Sequence, residues 1–146
     1  MNPQSSQYPN NPYSPRAFGG VAQPKQVEDR SFNYLYPIKL TALEALEDTV
    51  AIDTDADFLL EAWYISKADG TFTIQLTDST GYQLQNGQIQ SSGLSQSQAD
   101  PTVFSPSHPF PAGGKIKINI TDTSGLNSNT GQIVFIGTKR FFTASK

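Results

Sequence analysis

Aspartate is the residue type whose spacing in this chain most invites a chemical reading. Asp53, Asp55 and Asp57 alternate as the first, third and fifth oxygen ligands of a calcium loop do. The pattern then fails, because Phe58 stands where the sharp turn needs glycine and Tyr64 where a bidentate glutamate belongs. The run is therefore expected to be a solvated acidic turn, and no metal site is expected. Asp78 and Asp122 head equivalent turns and invite comparison with a pair of catalytic carboxylates. An aspartate in that place ordinarily accepts hydrogen bonds from its own backbone two residues on, which is reason enough for both. His108 is the one histidine, set between Ser107 and Pro109 in a stretch that reads as loop. With no nucleophile-elbow spacing anywhere, a general base there has no expected nucleophile or orienting partner.

Cysteine is absent, which excludes thiolate nucleophiles, thiolate metal sites and a disulfide framework. Gly19-Gly20 and Gly113-Gly114 are too short to cradle phosphate, so no cofactor is expected. Lys139 and Arg140 beside Phe141 and Phe142 read as a solvated strand edge, and a net charge of −3 argues against nucleic acid as a partner. No apolar run approaches the roughly 18 residues of a membrane span. Trp63, Tyr64 and Tyr82 raise a glycan-binding alternative, since sugar-binding sandwiches present exposed aromatic planes. Trp63 has apolar neighbours on both faces of its strand, so its burial is the expectation.

The elements that carry these residues repeat. Residues 70–90, GTFTIQLTDSTGYQLQNGQIQ, lie without a gap on 114–134 when 44 is added to each position. Gly70, Ile74, Thr77, Asp78, Gly81, Gly87, Gln88 and Ile89 fall on identical residue types, and Phe72 and Leu76 fall on Ile116 and Ile120. Agreement of turn glycines with the apolar face predicts the same kind of β-hairpin made twice. Further strands are expected over 33–41, where Pro37 places the strand at a sheet edge, over 49–53, over 57–66 and over 138–143. The run 67–70 is expected as a hairpin turn and 91–110 as a long polar loop. The strand 57–66 is apolar on both faces except for Glu61, which suggests that a neighbouring subunit or an overlying segment covers its outer side.

The first 30 residues differ in kind. Pro3, Pro9, Pro12, Pro15 and Pro24 lie among Asn, Gln and Ser, with Tyr8, Tyr13 and Phe18 each near a proline. Such a segment cannot by itself offset the entropy of ordering, about 1–2 kcal/mol per residue. It is expected to be an extended arm over 1–30, with Tyr8, Tyr13, Arg16 and Phe18 anchoring it to a partner. It contains no apolar core of a secretory signal, so the protein is expected to act where it is made or in something assembled there. The remaining 31–146, about 115 residues, suffice for one all-β domain: a single antiparallel β-sandwich of jelly-roll type.

The set DFLLEAW (57–63), GTFTIQLTDSTG (70–81), PFPAGGKIKINITDTSG (109–125) and IVFIGTKRF (133–141) resembles the small β-sandwich structural proteins of tailed-phage virions. That resemblance covers about residues 50 to 142 and leaves the arm outside it. It implies a catalytically silent virion part, present in many copies and assembled in the host cytoplasm. Its partners would be the major capsid protein or other virion subunits, and a homo-oligomer is the implied state. A capsid decoration (cement) protein is the first expectation, and a neck or collar component is the alternative.

Overall fold

The computed structural model of the chain describes residues 25–144. Period-two alternation of apolar residues sets most of the strands. In β1, Lys25–Leu40, the residues Phe32, Tyr34, Tyr36, Ile38 and Leu40 turn inward while Asn33, Leu35, Pro37 and Lys39 face out. Seven more strands follow among the described residues: β2 (Ala45–Ala51), β3 (Asp57–Asp69), β4 (Phe72–Asp78), β5 (Ile89–Gln90), β6 (Thr102–Phe110), β7 (Lys115–Asp122) and β8 (Asn129–Ala144). They form two four-stranded sheets in the orders β1-β8-β3-β6 and β2-β7-β4-β5. Every connection crosses from one sheet to the other except β4 to β5, and that alternation is the jelly-roll order. The protein is thus an all-β antiparallel sandwich, with the compact body spanning Val27–Phe142.

The core between the sheets holds Phe58, Leu60, Trp63, Ile65, Phe72, Ile74, Leu76, Phe110, Ile116, Ile118, Ile120, Ile133 and Phe135. Burying each large side chain is worth about 1.5–3 kcal/mol. Trp63 and Phe135, facing each other across β3 and β8, stack at 6.1 Å with 6° between their planes. Gly137 is required here: a side chain on it would enter the Leu59 carbonyl and the Phe58 ring.

The repeat is real in sequence but is not two copies of one hairpin. The first half does return within its own sheet, with Thr77 bridged to Gln83 and Ile74 paired with Ile89. The second half leaves β7 and crosses to the opposite sheet as β8, which runs unbroken through the segment expected as a separate last strand. Asn129 makes that crossing rigid. Fully buried, it has its amide oxygen 2.7 Å from Ser124 Oγ, a hydroxyl it shares with Asp122, and it donates to the Leu126 carbonyl at 2.8 Å. The turn at 67–70 likewise joins two sheets instead of closing a hairpin, and Gly70, at φ 96°, leaves the space that the Asn129 amide fills. The two copies instead pair with each other. Gln75 and Asn119, equivalent by the 44-residue offset, are direct cross-strand partners, so a local two-fold axis passes between β4 and β7.

Three more expectations are corrected by the strands themselves. The long loop ends early, because 102–110 is the strand β6. β3 is apolar on both faces because it is bulged. Leu60 faces Gly137 and Ala62 faces Ile136, so the residue between them, Glu61, is extra. That insertion switches the alternation, turning Phe58 and Leu60 inward before it and Trp63 and Ile65 inward after it. Lys139 and Arg140 lie on β8, which runs between β1 and β3 and is not an edge. Pro37 does lie at an edge: among the described residues β1 has β8 as its single neighbour. β1 also begins at Lys25, inside the segment expected as arm.

Candidate functional site

A groove of about 470 Å³ opens on one side of the sandwich, where β6 meets the loop between β4 and β5. Its origin is a mismatch of register. Two steps along β3, from Leu60 to Ala62, stand opposite five along β6, from His108 to Val103, so β6 bows away from its neighbour. From β6, Phe104, Ser105, Pro106, Ser107, His108 and Pro109 line the gap. Phe104 rests on the core through a stack with Trp63 at 6.1 Å. Tyr82 and Leu84 close the other wall.

Local hydrogen bonds hold that wall in place. β5 is two residues long and leaves the β4 backbone beyond Ile74 short of partners. The loop supplies them instead. Leu84 N–H donates to the Leu76 carbonyl at 2.9 Å, and Leu76 N–H donates to Gln85 Oε1 at 2.9 Å. Asp78 fixes the turn: its Oδ1 accepts from Thr80 N, Thr80 Oγ1 and Tyr82 N at 2.9, 2.6 and 3.0 Å. Asp78 follows Phe72, Ile74 and Leu76 in the inward alternation, so its carboxylate lies under the turn and is buried.

The second oxygen of Asp78 meets His108 Nε2 at 3.0 Å. Burial alone would push the Asp78 carboxyl up. The hydrogen bonds from Thr80 and His108, with those of the Tyr82 and Thr80 backbone, outweigh it and hold the group down at about 2. An ionised Asp78 can only accept, so the His108 proton sits on Nε2. His108 also stacks on Tyr82, with centroids 5.4 Å apart and 3° between the planes, and meets Phe110 edge-on at 5.0 Å. Tyr82, 61% exposed, is therefore held in an offset stack by a fixed imidazole and keeps much of its ring in solvent.

The remaining sequence candidates are placed as follows. Asp122 repeats the Asp78 turn, with Oδ1 accepting from Ser124 N and Oγ at 3.1 and 2.7 Å, and Oδ2 from Gly125 N and Leu43 N at 3.0 and 2.7 Å. Asp78 and Asp122 lie at opposite ends of the β4–β7 pair, six residues or about 20 Å apart. They form no carboxylate pair. Asp53 and Asp55 are not merely solvated: they receive the Lys139 ammonium at 2.8 and 3.0 Å. Asp57 accepts from Ala112 N at 2.9 Å. Lys139 is buried and also lies 4.1 Å from the centre of the Phe32 ring. Burial would lower its pKa, and the bonds to Asp53 and Asp55 reverse that and raise it to about 12. Arg140 makes a two-pronged contact with Asp29 at 2.9 Å. Trp63 is buried, as expected, and so offers no sugar platform. Among the described residues no group of three His, Cys, Asp or Glu stands close enough to hold a metal ion. Tyr8, Tyr13, Arg16 and Phe18, the expected arm anchors, lie outside the described residues.

Sequence reasoning missed the orienting partner of His108 and the strand that carries it. Asp78 is 30 residues away, and two prolines made β6 read as loop. Compared with known proteins, the chain matches no family model, no curated protein and no solved structure.

Proposed function

We propose that the chain is a non-enzymatic virion structural protein that binds the capsid surface or the head–tail junction and reinforces assembly through its N-terminal arm. A capsid decoration protein is the favoured form, with a neck or collar component as the alternative position. The observation that carries this is on the outer face of the β1-β8-β3-β6 sheet. Val103, Ala62 and Ile136 stand in one cross-strand row over β6, β3 and β8, and Tyr64 faces Val134 beside it. Val103 is 66% exposed, and Leu35 on β1 is 52% exposed. Ala62 and Val134 are themselves buried, so Val103 and Leu35 carry the exposed apolar surface of this face that is suited to pack on another subunit, and a second copy is the simplest such neighbour. The proline-rich leader with its spaced aromatics supports the same reading, since extended segments of that kind gain order by lying on a partner.

The test uses particles. Mass spectrometry of virions purified from the source is expected to find the chain in a fixed ratio to the major capsid protein. A variant lacking 1–24, which leaves β1 whole, is expected to fold and yet to bind particles at least about tenfold more weakly. Absence of the chain from every particle fraction overturns the reading. Undiminished binding by the truncated variant removes the arm from it.

A further inference from the structure

We propose that the groove between Tyr82 and β6 is a binding site for a neutral saccharide, independent of the assembly role. The lining selects the chemistry. A pyranose ring has one apolar C–H face and a rim of hydroxyl groups, so its site needs a flat aromatic surface beside uncharged hydrogen-bonding groups. Tyr82 supplies the surface, and His108, in an offset stack against it from β6, fixes the plane and leaves the rest of the exposed ring open. Asp78 in turn fixes His108, so the platform is organised before any ligand arrives. Phe104 and Pro106 extend the apolar lining, and Ser105 and Ser107 add hydroxyl-bearing residues to it.

Amide side chains continue the wall past Tyr82, where Gln83, Gln85 and Asn86 line an adjoining depression. Gln85 Nε2 is a buried donor with no hydrogen-bond partner among the described residues, although its Oε1 is committed to Leu76 N. That donor is closed off from solvent, so the exposed amides of Gln83 and Asn86 are the ones within reach of a hydroxyl-bearing ligand. No Lys, Arg, Asp or Glu lines either depression. That argues against phosphate-bearing ligands and nucleic acid, which need cations, and for an uncharged polyol. A proline-rich peptide shares the preference for aromatic and proline surfaces but leaves the run of amides and hydroxyls largely unused.

The experiment is a titration of the isotopically labelled full chain, followed by backbone amide shifts. The probes are neutral gluco-, galacto- and manno-configured oligosaccharides, N-acetylglucosamine oligomers, and a peptide of residues 7–18 of this sequence. At least one saccharide is expected to shift amides of 82–86 and 104–108 with a dissociation constant in the range of about 0.1–10 mM. Tyr82→Ala is expected to weaken that binding about tenfold or more, while Tyr82→Phe, which keeps the ring face, retains it. Because Tyr82 is exposed, both variants are expected to keep the amide pattern of the core. The proposal is overturned if no saccharide moves these amides, if Tyr82→Ala binds as the parent does, or if the peptide alone binds. None of these outcomes bears on whether the chain is found in particles.

Discussion

Asp78 is the residue on which the most structure converges, because one carboxylate closes a turn and steers a histidine. Its pKa is depressed from 3.8 to about 2 in the folded protein. A group depressed on folding adds stability that is fully present above its unfolded value and is lost as pH falls through its folded one. Melting temperature is therefore expected to fall between about pH 4 and pH 2, and Asp78→Asn is expected to flatten that slope while lowering stability at pH 6. Some slope will remain, since burial at Asp122 is likewise outweighed by hydrogen bonds, from Leu43 N and Ser124, that hold its carboxyl down. Parallel pH profiles for parent and variant would show that the Asp78 bonds contribute nothing. The turn role of both aspartates was legible, because Asp-x-Thr/Ser-Gly is a local signal. The partner of His108 was not, because it depends on β6 passing over a turn 30 residues earlier.

Among the elements, β3 shows how one extra residue rewrites the meaning of a strand. Counted by alternation alone, Trp63 and Ile65 point away from Phe58 and Leu60, and both faces call for cover. The bulge at Glu61 brings all four inward. No single residue type announces a bulge, and its cause lies in the register with β8, which is long-range. Glu61→Ala removes one exposed side chain, with its bond to Thr138, and is expected to cost less than about 1 kcal/mol. Deletion of Glu61 is a different matter: it pushes Trp63 and Ile65 outward and is expected to abolish the cooperative thermal transition seen by near-ultraviolet circular dichroism. A deletion variant that melts like the parent would show that β3 slides to restore its register. The two crossings misread as hairpins have a similar origin. Asp78–Gly81 and Asp122–Gly125 are nearly the same turn, and what separates their fates is Asn129, whose amide ties the second to Leu126 and Leu40.

At the scale of the whole molecule, the jelly roll is built from contacts between distant parts of the chain. Asp57 pairs with Arg140 and Ala45 with Thr121, so neither sheet exists until most of the sequence is available. Loop closure on that scale precedes any reward from pairing, and refolding after denaturant dilution is expected to take from milliseconds to seconds. Stopped-flow tryptophan fluorescence reports it directly, since Trp63 is the one tryptophan and lies in the core. Completion within about 100 µs would mean that the core forms from local contacts instead. The sandwich was legible from short alternating runs and frequent turn signals, and the edge position of β1 from Pro37 alone. Which turns stay in one sheet and which change sheets was not, because that depends on what each strand meets after the turn.

Pairing of β4 with its own near-duplicate has a consequence during synthesis. The ribosome delivers β4 well before β7, and in that interval the complementary surface nearest in kind is β4 of another nascent chain. Adjacent ribosomes on one message hold such chains close together, with matching edges and the same spacing of isoleucine and leucine. Strand exchange between siblings is therefore the error this architecture invites, and the rate at which the later copy emerges governs how often it occurs.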